Sequence, residues 1–358
     1  MQFNKYNSLE NHYQDKFIEA LRLHGLTEGQ FVCTEKVHGA NFSFWCNGAF
    51  EDESKLSPYV VRTAKRSGFC DGSFFASHKI DKYKENIQDL YDDMMDKGLI
   101  LYGDTIVVYG EIFGGSFYGR KEAGAKTVQG GMNYHPDTEF VAFDIGVERI
   151  IHDETVKSWI SYHDMTELLR GVEIPQAPEI FIGTFEECMA QNNEFATLVP
   201  KLFGLTVPED ADKLAAVGEG FVIRPLDGER FLRNGTRVII KSKNSKFSEK
   251  GKGSKVKNSV PLTDNEKALL ESFTCYFTEN RVNATISKEG EVDSFKQFPK
   301  IAGLTFADAI NDYEKENFNG MDDDRTLKSV IGDSYSVFTK FAKFESDKVV
   351  REVFKRLV

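Results

Sequence analysis

The sequence predicts an α+β fold, an antiparallel-sheet domain followed by a small all-helical one, and three observations predict it. Residues up to about 240 carry short runs rich in β-branched and aromatic residues, each bounded by glycines or polar turns. Helical periodicity interrupts these runs without alternating regularly with them, so a βαβ sheet is not expected. Beyond a Lys/Gly/Ser-rich stretch at 245–260 the pattern becomes wholly helical.

In chain order, the expected strands are "FVCTEKVHGANFSFW", "YVVRTAKRSG", "TIVVYGEIFG", "EFVAFDIGV", "GFVIRPL" and "TRVIIKSK". Between them, "SHKIDKYKENIQDLYDDMMDKG" spaces Ile80, Tyr83, Ile87, Leu90 and Met94 as one helix face, and Gly98 ends it. "SWISYHDMTELLRG" reads as a second helix. After the linker, Thr263 and Asp264 give an N-cap signal for "TDNEKALLESFTCYFTENRV". The tail places Val330, Val337, Phe338, Phe341, Phe344, Val353, Phe354 and Leu357 along helical stripes. These shifts set expected boundaries of 1–244, a basic linker at 245–260, and a helical domain at 261–358.

Composition narrows the class. Hydrophobic residues make up 41% and charged residues 28% of 358, enough for a core and against disorder. No apolar run reaches the roughly 18 residues a bilayer span needs. The opening "MQFNKYNSLENHYQDKF" lacks the apolar core of a signal peptide, which predicts a cytoplasmic protein. The five cysteines never form a CxxC pair, which favours reduced thiols over zinc. The net charge of -11 excludes an indiscriminate nucleic-acid binder. Yet Arg237, Lys241, Lys243, Lys246, Lys250, Lys252, Lys255 and Lys257 form a basic run with only Glu249 among them, a place where a polyanion can sit.

Four polar intrusions break apolar strands of the first domain: Lys241/Lys243, Glu111, the Glu219/Arg224 pair and Asp144, and their shared chemistry starts from Lys36 in "TEKVHGANFSFW". A lysine is costly to bury, and its amine is a nucleophile only once deprotonated, well below its usual pKa of about 10.4. Neighbouring cations such as Arg66, Lys241 and Lys243 favour the neutral amine and would stabilise a phosphoryl-type transition state. No GxxxxGK[ST] loop and no nucleophile elbow is present.

The ordered set "EKVHG", "AKRSG", "YGEIFG", "FVAFDI", "EGFVIRP" and "IKSKNSKFSEK" resembles the collinear motifs of the RNA ligase 2 family of covalent nucleotidyltransferases, and the resemblance runs nearly end to end. It implies an antiparallel, ATP-grasp-like ligase domain and an ATP-dependent RNA ligase that seals a 3′-OH to a 5′-phosphate in nicked or bridged duplex RNA. By the resemblance, Lys36 takes AMP from ATP and Glu35 frames the adenine. Arg66 and Glu111 hold the ribose and α-phosphate region, while Phe143 and Val222 sandwich the base. Glu219 assists with a divalent metal, Mg2+ with Mn2+ accepted. Lys241 and Lys243 contact the phosphates, Arg224 carries a cofactor-binding charge, and His38 and Asn41 serve the later steps. Phe74 and Phe75 resemble an aromatic pair near the 3′-OH strand. The resemblance also implies a monomer whose helical domain, 261–358, grips the RNA nick.

Two positions depart from the family pattern. Arg224 stands where lysine is expected, and Ala40 where a small hydroxyl residue is expected. DNA ligases and capping enzymes, the alternatives in the same superfamily, carry K-x-D-G-x-R, whereas this chain has His38 and Asn41 at the Asp and Arg positions. A non-catalytic RNA-binding protein with a degenerate ligase fold is the third reading, and the intact Lys36, Glu111, Glu219, Lys241 and Lys243 oppose it.

Overall fold

The computed structural model describes residues 1–48, 59–209, 211, 216–256, 260–318 and 325–358. The chain divides into two compact units, Met1–Asn244 and Ser245–Val358.

Two sheets build the first unit. The five-stranded sheet runs β1 (Glu10–Asn11), β11 (Ile240–Lys243), β10 (Gly220–Pro225), β2 (Gln30–Glu35), β9 (Glu179–Thr184). The six-stranded sheet runs β5 (Gly68–Cys70), β4 (Val60–Lys65), β3 (Ala40–Asn47), β6 (Thr105–Ser116), β7 (His135–Ile151), β8 (Glu154–Trp159). Pairing is antiparallel throughout both sheets except where β1 lies parallel to β11.

Alternation decides which residues each sheet buries. Phe31, Cys33, Phe221, Ile223 and Ile240 form one core with Ile18 and Leu21 of α1 (Asp15–Leu23) and Phe185 of α4 (Phe185–Met189). Phe42, Phe44, Val108 and Phe140 form the other with Ile87 and Leu90 of α2 (Lys84–Asp96) and Leu168 of α3 (Tyr162–Gly171). The opposite face of β3 is buried as well: Trp45 packs with Tyr109 and with Tyr6 of the N-terminal arm. That is why "NFSFW" is apolar almost without a break. A short α5 (Val199–Leu202) completes this unit among the described residues.

Two expectations are corrected here. The helix expected from Ser77 begins as 3-10 turns over Phe74–Tyr83, with Phe75 (φ 46) and Ala76 (φ 55) in the left-handed region, before α2 starts. Ladder pairing in "TRVIIKSK" begins only at Ile240, and Arg237 forms an isolated bridge with Phe231 instead. The Arg237 side chain is 1% exposed and pairs with Asp144 and Glu229, so it leaves the basic run. Lys243 and Lys250 have carboxylate partners too, in Glu219 and Glu316. Lys257 lies outside the described residues.

The second unit is helical: α6 (Asp264–Thr274), α7 (Glu279–Glu289), α8 (Phe298–Asn317), α9 (Leu327–Ile331) and α10 (Tyr335–Leu357). Thr263 caps α6 in a reciprocal box with Glu266. Leu270, Phe273, Tyr313, Phe338 and Ala342 form its core. Within the expected stripes, Phe338, Val353 and Phe354 are buried, whereas Val330, Phe344 and Leu357 are exposed. Glu249, Asp308 and Asp312 lie close enough together to hold a cation, and the guanidinium of buried Arg281 fills that place. No helix among the described residues is long and apolar enough to cross a membrane.

Candidate active site

Lys36 follows β2 of one sheet, and Ala40 opens β3 of the other, so residues 36–39 bridge the two sheets. The bridge is fixed at Lys36, His38 and Gly39 by named partners. The Lys36 N–H donates to the Gly220 carbonyl at 2.8 Å, and the His38 N–H to the Tyr134 hydroxyl at 3.3 Å. The Gly39 N–H donates to Glu111 Oε1 at 3.2 Å, and the Gly39 carbonyl accepts from Gln129 Nε2 at 2.9 Å. Tyr134 and Gln129 were not legible as site residues, because they lie in a glycine-rich connection without periodicity. Gly39 is required for a close approach: a Cβ there would meet the Ile112 carbonyl oxygen at 2.2 Å. Gly220 combines both demands, with φ at 136° and a would-be Cβ 2.0 Å from the Ser242 carbonyl.

Glu219, immediately before β10, gathers the cations. Its Oε1 lies 2.7 Å from Lys36 Nζ and 3.3 Å from Lys243 Nζ, and its Oε2 lies 3.1 Å from His38 Nδ1. Burial works to raise its pKa, but Lys36, Lys243 and His38 together hold the carboxyl well below the usual range. Glu111 is in the opposite situation. Burial pushes it up to about 8, against the lowering influence of Lys36, and the Glu219 charge adds to the rise. Two neighbouring carboxylates are thus driven apart, one fixed as an anion and one close to neutral at pH 7.

The remaining residues expected at the site fall into two groups. Asn41 pairs directly with Glu111 across β3 and β6, Lys241 pairs with Val222 across β11 and β10, and Arg66 acts electrostatically on Glu111. Phe143 is the extra residue of a bulge: Tyr109 pairs with Asp144 and Gly110 with Ala142, which leaves Phe143 unpaired and re-aims its ring. Its ring packs against Tyr6 at 5.3 Å.

Others turn inward. The Glu35 carboxylate is buried and accepts from Thr197 Oγ1 and from the Leu198 N–H at 2.8 Å, and burial pushes its pKa up to about 7. Phe74 and Phe75 are 7% and 3% exposed and pack at 4.9 Å against each other in the core. Arg224 requires a correction. Its side chain is 2% exposed, and its donors go to Asp144 at 3.1 Å, Glu229 at 2.6 Å and the Phe143 carbonyl at 3.2 Å. It braces the backbone under Phe143 instead of offering its charge to a nucleotide, because the buried Asp144 demands a cation.

These shifts fix the sign of the pH dependence of stability. Glu111 and Glu35 hold protons more tightly folded than unfolded, so their contribution falls as pH rises from about 4.5 through 8. Glu219, held low, withdraws its contribution as pH falls below about 4.5. Glu111→Gln is therefore expected to remove on the order of 2–4 kcal/mol of the loss between pH 5 and pH 8, read from urea midpoints. An unaltered slope in that variant would show that Glu111 is not the group responsible.

The family model described as RNA ligase matches residues 29–243, and the one described as T4 RNA ligase 2 C-terminal matches residues 260–352. The mitochondrial RNA-editing ligase 1 of Trypanosoma brucei brucei is 30% identical over 259 residues, covering 65% of this chain and 53% of that relative. RNA-editing ligase 2 from the same organism is 27% identical over 226 residues, covering 57% and 51%. A solved structure of a Naegleria gruberi RNA ligase with ATP and Mn superposes with a TM-score of 0.41 and 13% identity, covering 69% of this chain and 58% of that one. The chain spans about half the length of the curated relatives it matches. With one family model over its two-sheet unit and a second over its helices, the chain belongs to the RNA ligase family.

Proposed function

We propose that this protein is an ATP-dependent RNA ligase acting through a lysyl-adenylate. The observation that carries the reading is the Lys36 amine, 2.7 Å from a buried carboxylate that a second lysine also meets, on a bridge held through the backbone of Lys36, His38 and Gly39. In the proposed sequence the Lys36 nitrogen bonds to the α-phosphorus of ATP while the bond to pyrophosphate breaks. AMP then passes to the 5′-phosphate of an RNA strand, and a 3′-OH displaces it to close the phosphodiester.

Glu219 is the residue placed to orient Lys36, and Lys241 and Lys243 supply positive charge for the phosphates. Phe143 and Val222 are the proposed walls of the adenine pocket, and Arg66, Glu111 and Asn41 meet the sugar and α-phosphate. A divalent cation, Mg2+ by preference, would neutralise phosphate charge when bound. Glu219, held as an anion, offers hard oxygen donors, which fits an ion held mainly by water and phosphate oxygens. We assign adenylation to residues 1–244 and grip on nicked or bridged duplex RNA to the helical unit, in a monomer.

The direct test is incubation with ATP labelled at the α-phosphate, followed by denaturing electrophoresis. Label on the protein that chases onto a nicked duplex supports the reading, and an unlabelled protein removes it. A second expectation concerns the sugar. On nicked duplexes, a ribonucleotide 3′-OH end should be sealed at least ten-fold faster than a deoxyribonucleotide end, because A-form shape and 2′-OH contacts distinguish RNA. Equal rates would favour a DNA ligase.

A further inference from the structure

The helical unit carries a groove of about 670 Å3, in the size range of ligand sites, that no part of the adenylation chemistry uses. Val260 and Leu270 give it an apolar floor. Along its rim, α10 presents Lys340, Lys343, Phe344 and Lys348, spaced by three, four and eight residues so that they share one side of the helix. Lys255 faces them from the preceding segment. All four lysines are exposed. Lys255, Lys340 and Lys343 make no ion pair among the described residues, whereas Lys348 pairs with Glu345 at 2.7 Å. Glu345 and Asp347 are the carboxylates of the groove, so four cations face two anions in a chain whose net charge is -11.

Phe344 is the telling member. It is 60% exposed, off the stripe that packs Phe338 and Phe354 into the interior. The Lys348 ammonium sits over its ring at 4.4 Å from the centroid. An exposed aromatic beside lysines, over an apolar floor, joins the two components by which proteins hold unpaired nucleic acid: a stacking surface for a base and charge for the backbone.

We infer that this groove binds an unpaired stretch of RNA, with Lys255, Lys340 and Lys343 on phosphates and one base stacked on Phe344. The inference rests on the ligase reading and deepens it, by naming a site on the helical unit for an unpaired stretch of the RNA. A duplex offers no free base face, so the groove selects unstacked nucleotides over paired ones.

The test uses the full chain and a fluorescent single-stranded RNA of about 12 nucleotides, within the range a stacking groove occupies. Anisotropy is read across salt, and label transfer from ATP is measured in parallel. The Lys340→Ala/Lys343→Ala variant should bind more weakly, with the slope of log affinity against log salt shallower by about 1.4, since each phosphate contact on a single strand contributes about 0.7. Phe344→Ala should lose about ten-fold in affinity with the slope unchanged, and Phe344→Tyr should recover it. Variants that label normally yet bind RNA like the parent overturn the groove and leave the ligase reading intact. A parent chain that takes no label yet shows these RNA losses keeps the groove and removes the ligase. A dimer in sedimentation that Phe344→Ala dissolves, with RNA binding unchanged, would assign the face to a second copy of the chain and overturn the inference.

Discussion

Lys36→Ala should eliminate transfer of labelled AMP to the protein, by at least three orders of magnitude, while the chain stays folded. The magnitude follows from the chemistry: no rate enhancement survives on a covalent path whose nucleophile is missing. The fold should tolerate the change, because the Lys36 side chain is 23% exposed and the bridge is held through its backbone. Glu219 does lose a partner, but Lys243 and His38 remain beside it. The informative control is RNA already carrying AMP on its 5′-phosphate. Joining of that substrate by the alanine variant would locate the defect in the first step alone. Label retained at parental levels would show that another residue is the acceptor.

Asp144→Ala should cost about 3–5 kcal/mol of stability, the largest loss expected from one substitution in the two-sheet unit. Asp144 has no exposed surface, and it accepts from Arg224, Arg237 and the Tyr6 hydroxyl, the last at 2.8 Å. Removing it leaves Arg224 and Arg237 buried with only Glu229 to share. Both arginines then repel each other in a medium that screens charge poorly. Asp144→Asn keeps the shape and one acceptor, so it should be the milder variant. Urea midpoints read both. A loss under 1 kcal/mol for the alanine variant would mean that water or rearrangement reaches the site. Because Phe143 is the preceding residue and its carbonyl accepts from Arg224, the same variant should also weaken ATP binding.

How far the sequence reaches is best seen at these two sites. Glu111 interrupts an apolar strand, and Lys36, Glu219 and Lys243 stand at strand ends, where a polar residue is visible without coordinates. Period-two alternation and glycine punctuation were enough to place them on strands or at strand ends, and the helical tail was equally legible from its 3.6-residue spacing. These are local signals, carried by residues a few positions apart.

Arg224, by contrast, could not be assigned from its strand. Its alternation puts it beside Val222, on the side expected to meet nucleotide, and nothing local reveals that Asp144 lies within reach. Its partners are Asp144 and Glu229, and the network they share with Tyr6 and Arg237 is scattered over most of the two-sheet unit. The same limit hid Gln129 and Tyr134, which reach the Lys36 bridge across about 90 residues of chain. It also hid the reason for Gly39, a carbonyl that approaches from Ile112. Sequence by itself therefore determined the strand-and-helix layout and the charged residues that break it. Tertiary structure alone decided which of those charges face one another, because burial makes an unpaired charge intolerable and only the folded chain shows which opposite charge is near enough to satisfy it.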